Sequence, residues 1–196
     1  MKFSAVILAG GESSRMGRDK AFLEIGGQTL LARQIRVVRE AGADEVFISG
    51  RVNAEYAAYG CRVLLDQFPG AGPLAGIERA LAAAAAPLLL VLAVDVPEMN
   101  AAFIRTLAAR CSHDVGAVPC IGEKVEPLAG FYPKSARNLA EALLRTERNG
   151  VAAFAKDCAQ AGYIRFFPVR PDQTKCFTNW NHPADIAVAP LTAEHD

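Results

Sequence analysis

An α/β fold, with a mostly parallel central sheet between two layers of helices, is the architecture the sequence predicts, on three observations. Short apolar runs alternate along the chain with longer stretches of helical periodicity, the pattern of strands joined by crossover helices. Two of the runs, Ala5 to Leu8 and Leu88 to Val94, are apolar at every position, as strands covered on both faces must be. A glycine or polar residue closes each early run: Gly10, then Ser49-Gly50, Asp66 and Asp95. Together these describe a Rossmann-like three-layer sandwich whose ligands collect at the carboxyl ends of the strands.

Length and composition set the outer limits. The 196 residues suffice for one sizeable core, and residues 1–190 read as one domain followed by a frayed tail, 191–196. Hydrophobic residues make up 52% and charged residues 21%, with 21 Lys and Arg against 21 Asp and Glu. That balance argues against nucleic acid as a partner and against a disordered acidic tail. The longest apolar run, Leu81 to Val94, is broken by Pro87 and falls short of the ~20 residues that span a bilayer. No basic, cleavable leader precedes the first strand, so a cytoplasmic protein that engages no membrane is expected. Five cysteines, odd in number and without a CxxC pair, read as small buried thiols in a reducing compartment.

The elements follow in order. After the first strand, Ala21 to Gly27 is a short extended stretch with a turn, and Thr29 caps a helix over Leu30 to Ala41 that Gly42 ends. Glu45 to Ser49 is the second strand, Ala54 to Tyr59 a short helix, and Arg62 to Leu65 the third strand. The turn-rich DQFPGAGP leads into a helix from Leu74 to Ala85, and Leu88 to Val94 is a central strand. Asn100 caps a helix to Arg110; Val115 to Val118 and Leu128 to Tyr132 are strands; Ser135 opens a helix to Arg145. Residues 151–161 form another helix, Ile164 to Val169 returns to the sheet, and Pro183 starts a final short helix.

The functional centre is the stretch AVILAGGESSRMGRDK, residues 5–20. An apolar strand runs into Gly10-Gly11, where the backbone can turn tightly and approach a ligand without a Cβ, and Arg15, Arg18 and Lys20 follow. Backbone N–H groups with cations beside them form an anion site, and a nucleotide phosphate is the anion expected at that corner of a parallel sheet. The two common phosphate loops do not fit: GxGxxG is absent, and Lys20 is followed by Ala21 where GxxxxGK[ST] needs Ser or Thr. Asp95 follows a wholly apolar strand, so its carboxylate sits near a low-dielectric core and calls for a cation. Mg²⁺ shared with triphosphate oxygens is the economical one; a cap for the helix after Pro97 is the alternative.

Leu8-Ala9-Gly10-Gly11, Arg15-Met16-Gly17 and Asp19-Lys20 match, position by position, the LAGGxxxRMGxDK signature of nucleotidyltransferases. Further landmarks are GPLAG at Gly72 to Gly76, Asp-x-Pro at Asp95 to Pro97, EPLAGFY at 126–132 and FTNWNHP at 177–183. With these, residues 5–187 resemble the molybdenum cofactor guanylyltransferases, whose fold is of the nucleotide-diphospho-sugar-transferase type. The resemblance implies transfer of GMP from GTP to the phosphate of molybdopterin with release of pyrophosphate. It implies that Leu8, Ala9, Gly10, Gly11, Lys20, Ser49, Asp66, Gly72 and Asp95 bind nucleotide, and that Arg15, Lys20 and Asp95 are catalytic, with Asp95 the Mg²⁺ ligand. Asn179 and Asn181 would face the pterin, and molybdoenzymes or other cofactor-biosynthesis proteins would be partners.

The chain departs from the family pattern in places. Ser49 stands where Asn is common, His182 replaces a Thr, Val94 replaces a frequent Cys, and a familiar arginine is missing after Gly150. Asp66 suits guanine, whose N1–H and exocyclic amine present adjacent donors to a carboxylate. A cytidylyltransferase acting on molybdopterin or on a sugar or isoprenoid phosphate would use the same loop, and a non-catalytic nucleotide-binding module would bind GTP without releasing pyrophosphate. For Asn179 and Asn181, turn formation before Pro183 is the alternative to a pterin contact.

Overall fold

The computed structural model describes residues 1–10, 19–50, 54–68 and 70–180. Its main sheet has five strands in the order β5-β4-β1-β6-β9. β1 is Phe3–Leu8, β4 Glu45–Ser49, β5 Arg62–Leu64, β6 Leu88–Ala93 and β9 Ala129–Pro133. The first four run parallel and β9 is antiparallel to β6, with Leu92 opposite Ala129. Two short strands, β2 (Glu24–Ile25) and β3 (Gln28–Thr29), form a hairpin ahead of α1. A second sheet, β10-β7-β8, contains β7 (Gly116–Ile121), β8 (Lys124–Val125) and β10 (Ile164–Pro168).

Successive side chains along β1 and β6 point to opposite faces, and both faces are buried. Phe3, Ala5, Ile7, Leu88, Leu90 and Leu92 pack against α1 (Leu30–Glu40) and α3 (Ala101–Ala108). Val6, Leu89 and Val91 face α2 (Pro73–Ala83), α4 (Arg137–Arg145) and α5 (Val151–Gln160). Those two cores are the two helical layers of a three-layer sandwich, and they explain why β1 and β6 have no polar face. No described helix is long and apolar enough to cross a membrane.

The helix caps obey local chemistry. Thr29 Oγ1 accepts from Ala32 N at 3.1 Å to start α1, and Asn100 Oδ1 accepts from Phe103 N at 2.9 Å to start α3. Expected boundaries shift where short-range geometry intervenes. Ala54–Tyr59 is a 3-10 turn, and a second one, Lys134–Ala136, occupies the start expected for the fourth helix, so α4 begins at Arg137 rather than Ser135. β7 continues past Pro119, where a strand was expected to stop at Val118. Pro119 has no N–H to give, and its carbonyl keeps the strand's other hydrogen bond by accepting from Glu126 N at 2.8 Å. The β7–β8 hairpin and the 3-10 turn Pro171–Phe177 have no counterpart in the sequence-based expectation. The helix expected at Pro183 lies outside the described residues.

Candidate active site

Strand register brings the expected site together. Leu8 pairs with Ser49 on one side and Ala93 on the other, and Ser49 pairs with Leu64. The residues just beyond those positions, Ala9-Gly10, Gly50, Asp66 and Val94-Asp95, therefore emerge at one edge of the sheet. Hydrogen bonds fix that edge: Ala9 N donates to Ser49 O at 2.8 Å, and Val94 N to Leu8 O at 3.2 Å. Gly10 comes close to Gly50, since a Cβ on Gly10 would stand 3.4 Å from the Gly50 Cα.

Lys20 and Asp95, 75 positions apart, meet at this edge with Nζ 3.8 Å from Oδ2. Both side chains keep about a quarter of their surface open, at 22% and 26%. Lys20 stands on the 3-10 turn Lys20–Phe22, capped by Asp19 Oδ1 accepting from Ala21 N at 3.0 Å. Among the described residues no three of His, Cys, Asp or Glu gather as a metal cage. Asp95, a carboxylate at the carboxyl ends of the strands with part of its surface open, has the chemistry to hold a hard cation such as Mg²⁺ that would complete its shell with substrate and water oxygens.

Three successive carbonyls hold the Asp95 loop in place. Asp95 O accepts from Trp180 N at 3.0 Å, Val96 O from Gln34 Nε2 at 2.7 Å, and Pro97 O from Arg33 Nε at 2.6 Å. Sequence reasoning missed Gln34 and Arg33. The one available signal was Gln34 itself, a polar residue within the apolar stripe of Leu30, Leu31, Ile35 and Val38 that α1 buries. Tyr56 was also missed; its hydroxyl donates to Asp19 Oδ2 at 2.9 Å.

On the other flank, Gly72 is the N-cap of α2 with φ 70°, a conformation that favours glycine, and Pro73 opens the helix. Gly76, one turn on, packs so near Ser49 Oγ that a Cβ there would collide with it. Ser49 is buried and hydrogen-bonds Asp66, whose carboxyl burial pushes up; that bond acts in the opposite sense. Asn179 is exposed, next to the Trp180 that contacts Asp95. Gly11, Arg15, Arg18 and Asn181 lie outside the described residues.

All five cysteines are free, and burial pushes the Cys111 and Cys158 thiols up to about 12. His113 is exposed and pairs with its neighbour Asp114 at 2.8 Å. A cleft lined by Arg39, Asp44, Glu45 and Arg62 opens at the amino-terminal end of β4, the far end of the strand from Ser49.

Known proteins resemble this chain in sequence and fold. The model of the MobA-like NTP transferase domain matches residues 5–161. A probable molybdenum cofactor guanylyltransferase of Opitutus terrae is 40% identical over 185 residues, 93% of this chain and 92% of the relative. The molybdenum cofactor guanylyltransferase of Pseudomonas aeruginosa is 40% identical over 75% of each chain. Among solved structures, molybdopterin-guanine dinucleotide biosynthesis protein A from Archaeoglobus fulgidus superposes with a TM-score of 0.74 over 95% of both chains at 22% identity, a likeness of fold. With its signature loop, its strand order and relatives matched along nearly its whole length, the chain belongs to the MobA-like NTP transferase family.

Proposed function

We propose that the protein transfers GMP from GTP to the terminal phosphate of molybdopterin, with Mg²⁺, forming the guanine dinucleotide cofactor and pyrophosphate. The observation that carries the reading is the meeting of Lys20 and Asp95 at 3.8 Å beside the glycine turn that ends β1. A cation from the signature motif and a carboxylate from the segment just after β6 share one edge, which is what binding a triphosphate with its metal requires. The relatives named as molybdenum cofactor guanylyltransferases support the choice of substrates.

The chemistry asks little acid–base work of the chain. An oxygen of the acceptor phosphate, already ionised at neutral pH, attacks the α-phosphorus in line. The bond from that phosphorus to its β-bridging oxygen breaks, and the electron pair leaves on pyrophosphate. No side chain has to remove a proton. Lys20 neutralises charge that builds on the transferring phosphate, the kind of donor whose removal costs ~10²–10³ in rate. Asp95 would hold Mg²⁺, which would supply further neutralisation of the triphosphate charge. The same role as that of Lys20 is proposed for Arg15 of the signature motif. Gly10, Gly11 and Gly72 let backbone approach the phosphates, and the amino end of α2 at Gly72 adds a favourable dipole. Asp66, held by Ser49, accepts from guanine N1–H and the exocyclic amine, while Asn179 and Asn181 bind the pterin.

Pyrophosphate release measured with molybdopterin and each of the four NTPs tests this. Turnover with GTP well above CTP, ATP and UTP is expected. Preference for CTP would move the assignment to a cytidylyltransferase, and GTP binding without pyrophosphate release would leave a binding module.

A further inference from the structure

We infer that Tyr56 is a positioning residue for Lys20: through Asp19 its buried hydroxyl fixes the turn from which Lys20 reaches the phosphate site. This rests on the role given to Lys20 above. Asp19 uses its two oxygens for two different segments. Oδ1 accepts from Ala21 N at 3.0 Å and caps the Lys20–Phe22 turn, and Oδ2 accepts from the Tyr56 hydroxyl at 2.9 Å. The residue immediately before Lys20 is thereby tied to the segment that follows β4.

The tie is reinforced two residues later. The fully buried Tyr56 ring stacks on Phe22, with centroids 5.3 Å apart and 27° between planes. Tyr59 places its ring 6.3 Å from Phe22 and its hydroxyl 2.9 Å from Thr29 Oγ1, the cap of α1. The Ala54–Tyr59 turn therefore grips the lysine's own turn on both sides of Lys20. Gly50 makes room for this grip: a Cβ there would stand 2.6 Å from Tyr56 Cε2. The absent side chain lets an aromatic ring seat against the edge where β4 ends.

A lysine needs such support more than most cations. Its four-carbon stem is flexible and its ammonium has no preferred plane, so the backbone under it sets where the charge lies. A three-residue 3-10 turn is weakly held by its own hydrogen bonds. Misplacing a group by ~1 Å can cost ~10²-fold in rate, so one hydroxyl that fixes the turn is worth a measurable fraction of that. If packing were all that Tyr56 supplied, phenylalanine would serve equally well.

The test is a double-mutant cycle of wild type, Tyr56→Phe, Lys20→Ala and the pair, read on Mg·GTP affinity by calorimetry and on steady-state pyrophosphate release. Tyr56→Phe keeps the ring, its stack on Phe22 and its seat at Gly50, and loses only the hydroxyl. Alone it should lower kcat about 3- to 10-fold and weaken GTP about 2- to 3-fold; in the Lys20→Ala background it should change neither. Asp19→Ala, which removes both links, should lose at least as much kcat and show the same dependence on Lys20. Wild-type values for Tyr56→Phe, or losses of equal size with and without Lys20, would overturn the inference. If wild type binds GTP but releases no pyrophosphate with molybdopterin, the proposed activity fails, and the affinity arm alone decides: loss only when Lys20 is present supports the inference, additive loss refutes it.

Discussion

Replacing Arg137 by alanine should unfold this protein at markedly lower urea without touching its chemistry. Glu78 lies on α2 with its side chain only 1% exposed, and Arg137 Nε donates to Glu78 Oε1 at 2.9 Å from α4. The second oxygen of Glu78 is buried and has no hydrogen-bond partner among the described residues. The carboxylate's burial is therefore compensated chiefly by one guanidinium, whose own affinity for protons Glu78 raises, first by the hydrogen bond. Breaking a wholly buried pair by removing one member costs ~3–5 kcal/mol, because a charge is left in low dielectric. Here Arg137 is 42% exposed, so water can follow the vacated path, and ~2–3 kcal/mol is the better figure. In a chain of this size that lowers Tm by about 4–12 °C. Urea unfolding followed by circular dichroism gives the free energy, and turnover of the remaining folded enzyme gives the activity. The double variant Glu78→Met, Arg137→Ala removes the stranded charge and should recover most of the loss. Arg137→Ala within ~0.5 kcal/mol of wild type, the range of an ordinary surface substitution, would refute the reasoning, and so would a double variant no better than the single.

Asp95→Asn should abolish turnover while the fold survives, because the amide keeps the shape of the side chain and loses the charge offered to Mg²⁺; substantial activity at ordinary Mg²⁺ in the folded variant would sink the metal assignment. GTP affinity should fall on acidification, beginning above the usual aspartate range, because burial raises Asp66 and a protonated carboxyl presents a donor to guanine's donors. Calorimetry across pH should show Ser49→Ala moving that loss to still higher pH, since the Ser49 bond favours the ionised form, and Asp66→Asn flattening the profile. Iodoacetamide at pH 8 should leave Cys111 and Cys158 unmodified in the native protein, since thiols pushed up to about 12 are almost wholly protonated there; mass spectrometry reads the labelling directly.

By itself the sequence determined the layers of this protein and which strand ends lie side by side at the candidate site. Strand character at β6 and along Ala5 to Leu8 of β1 was legible because burial on two faces leaves an unbroken apolar run, and the caps at Thr29 and Asn100 were legible because capping is a matter of neighbouring residues. Glycines and carboxylates at strand ends marked the candidate site, and parallel register carried Gly10, Ser49, Asp66 and Asp95 to one side without further information. What only the tertiary structure decided depends on partners far apart in the chain. β9 runs antiparallel beside β6, and β7 continues through Pro119, because the strand beside each segment supplies its pairing, and no local pattern encodes a neighbour. Gln34 and Arg33 reach the carbonyls after Asp95 across more than sixty positions, and Tyr56 reaches Asp19 across 37. A buried hydroxyl or amide has the same letter in the sequence whether it packs, caps or holds a loop. Its partner is chosen by the low dielectric around it, where a polar group must find a hydrogen bond wherever the fold places one.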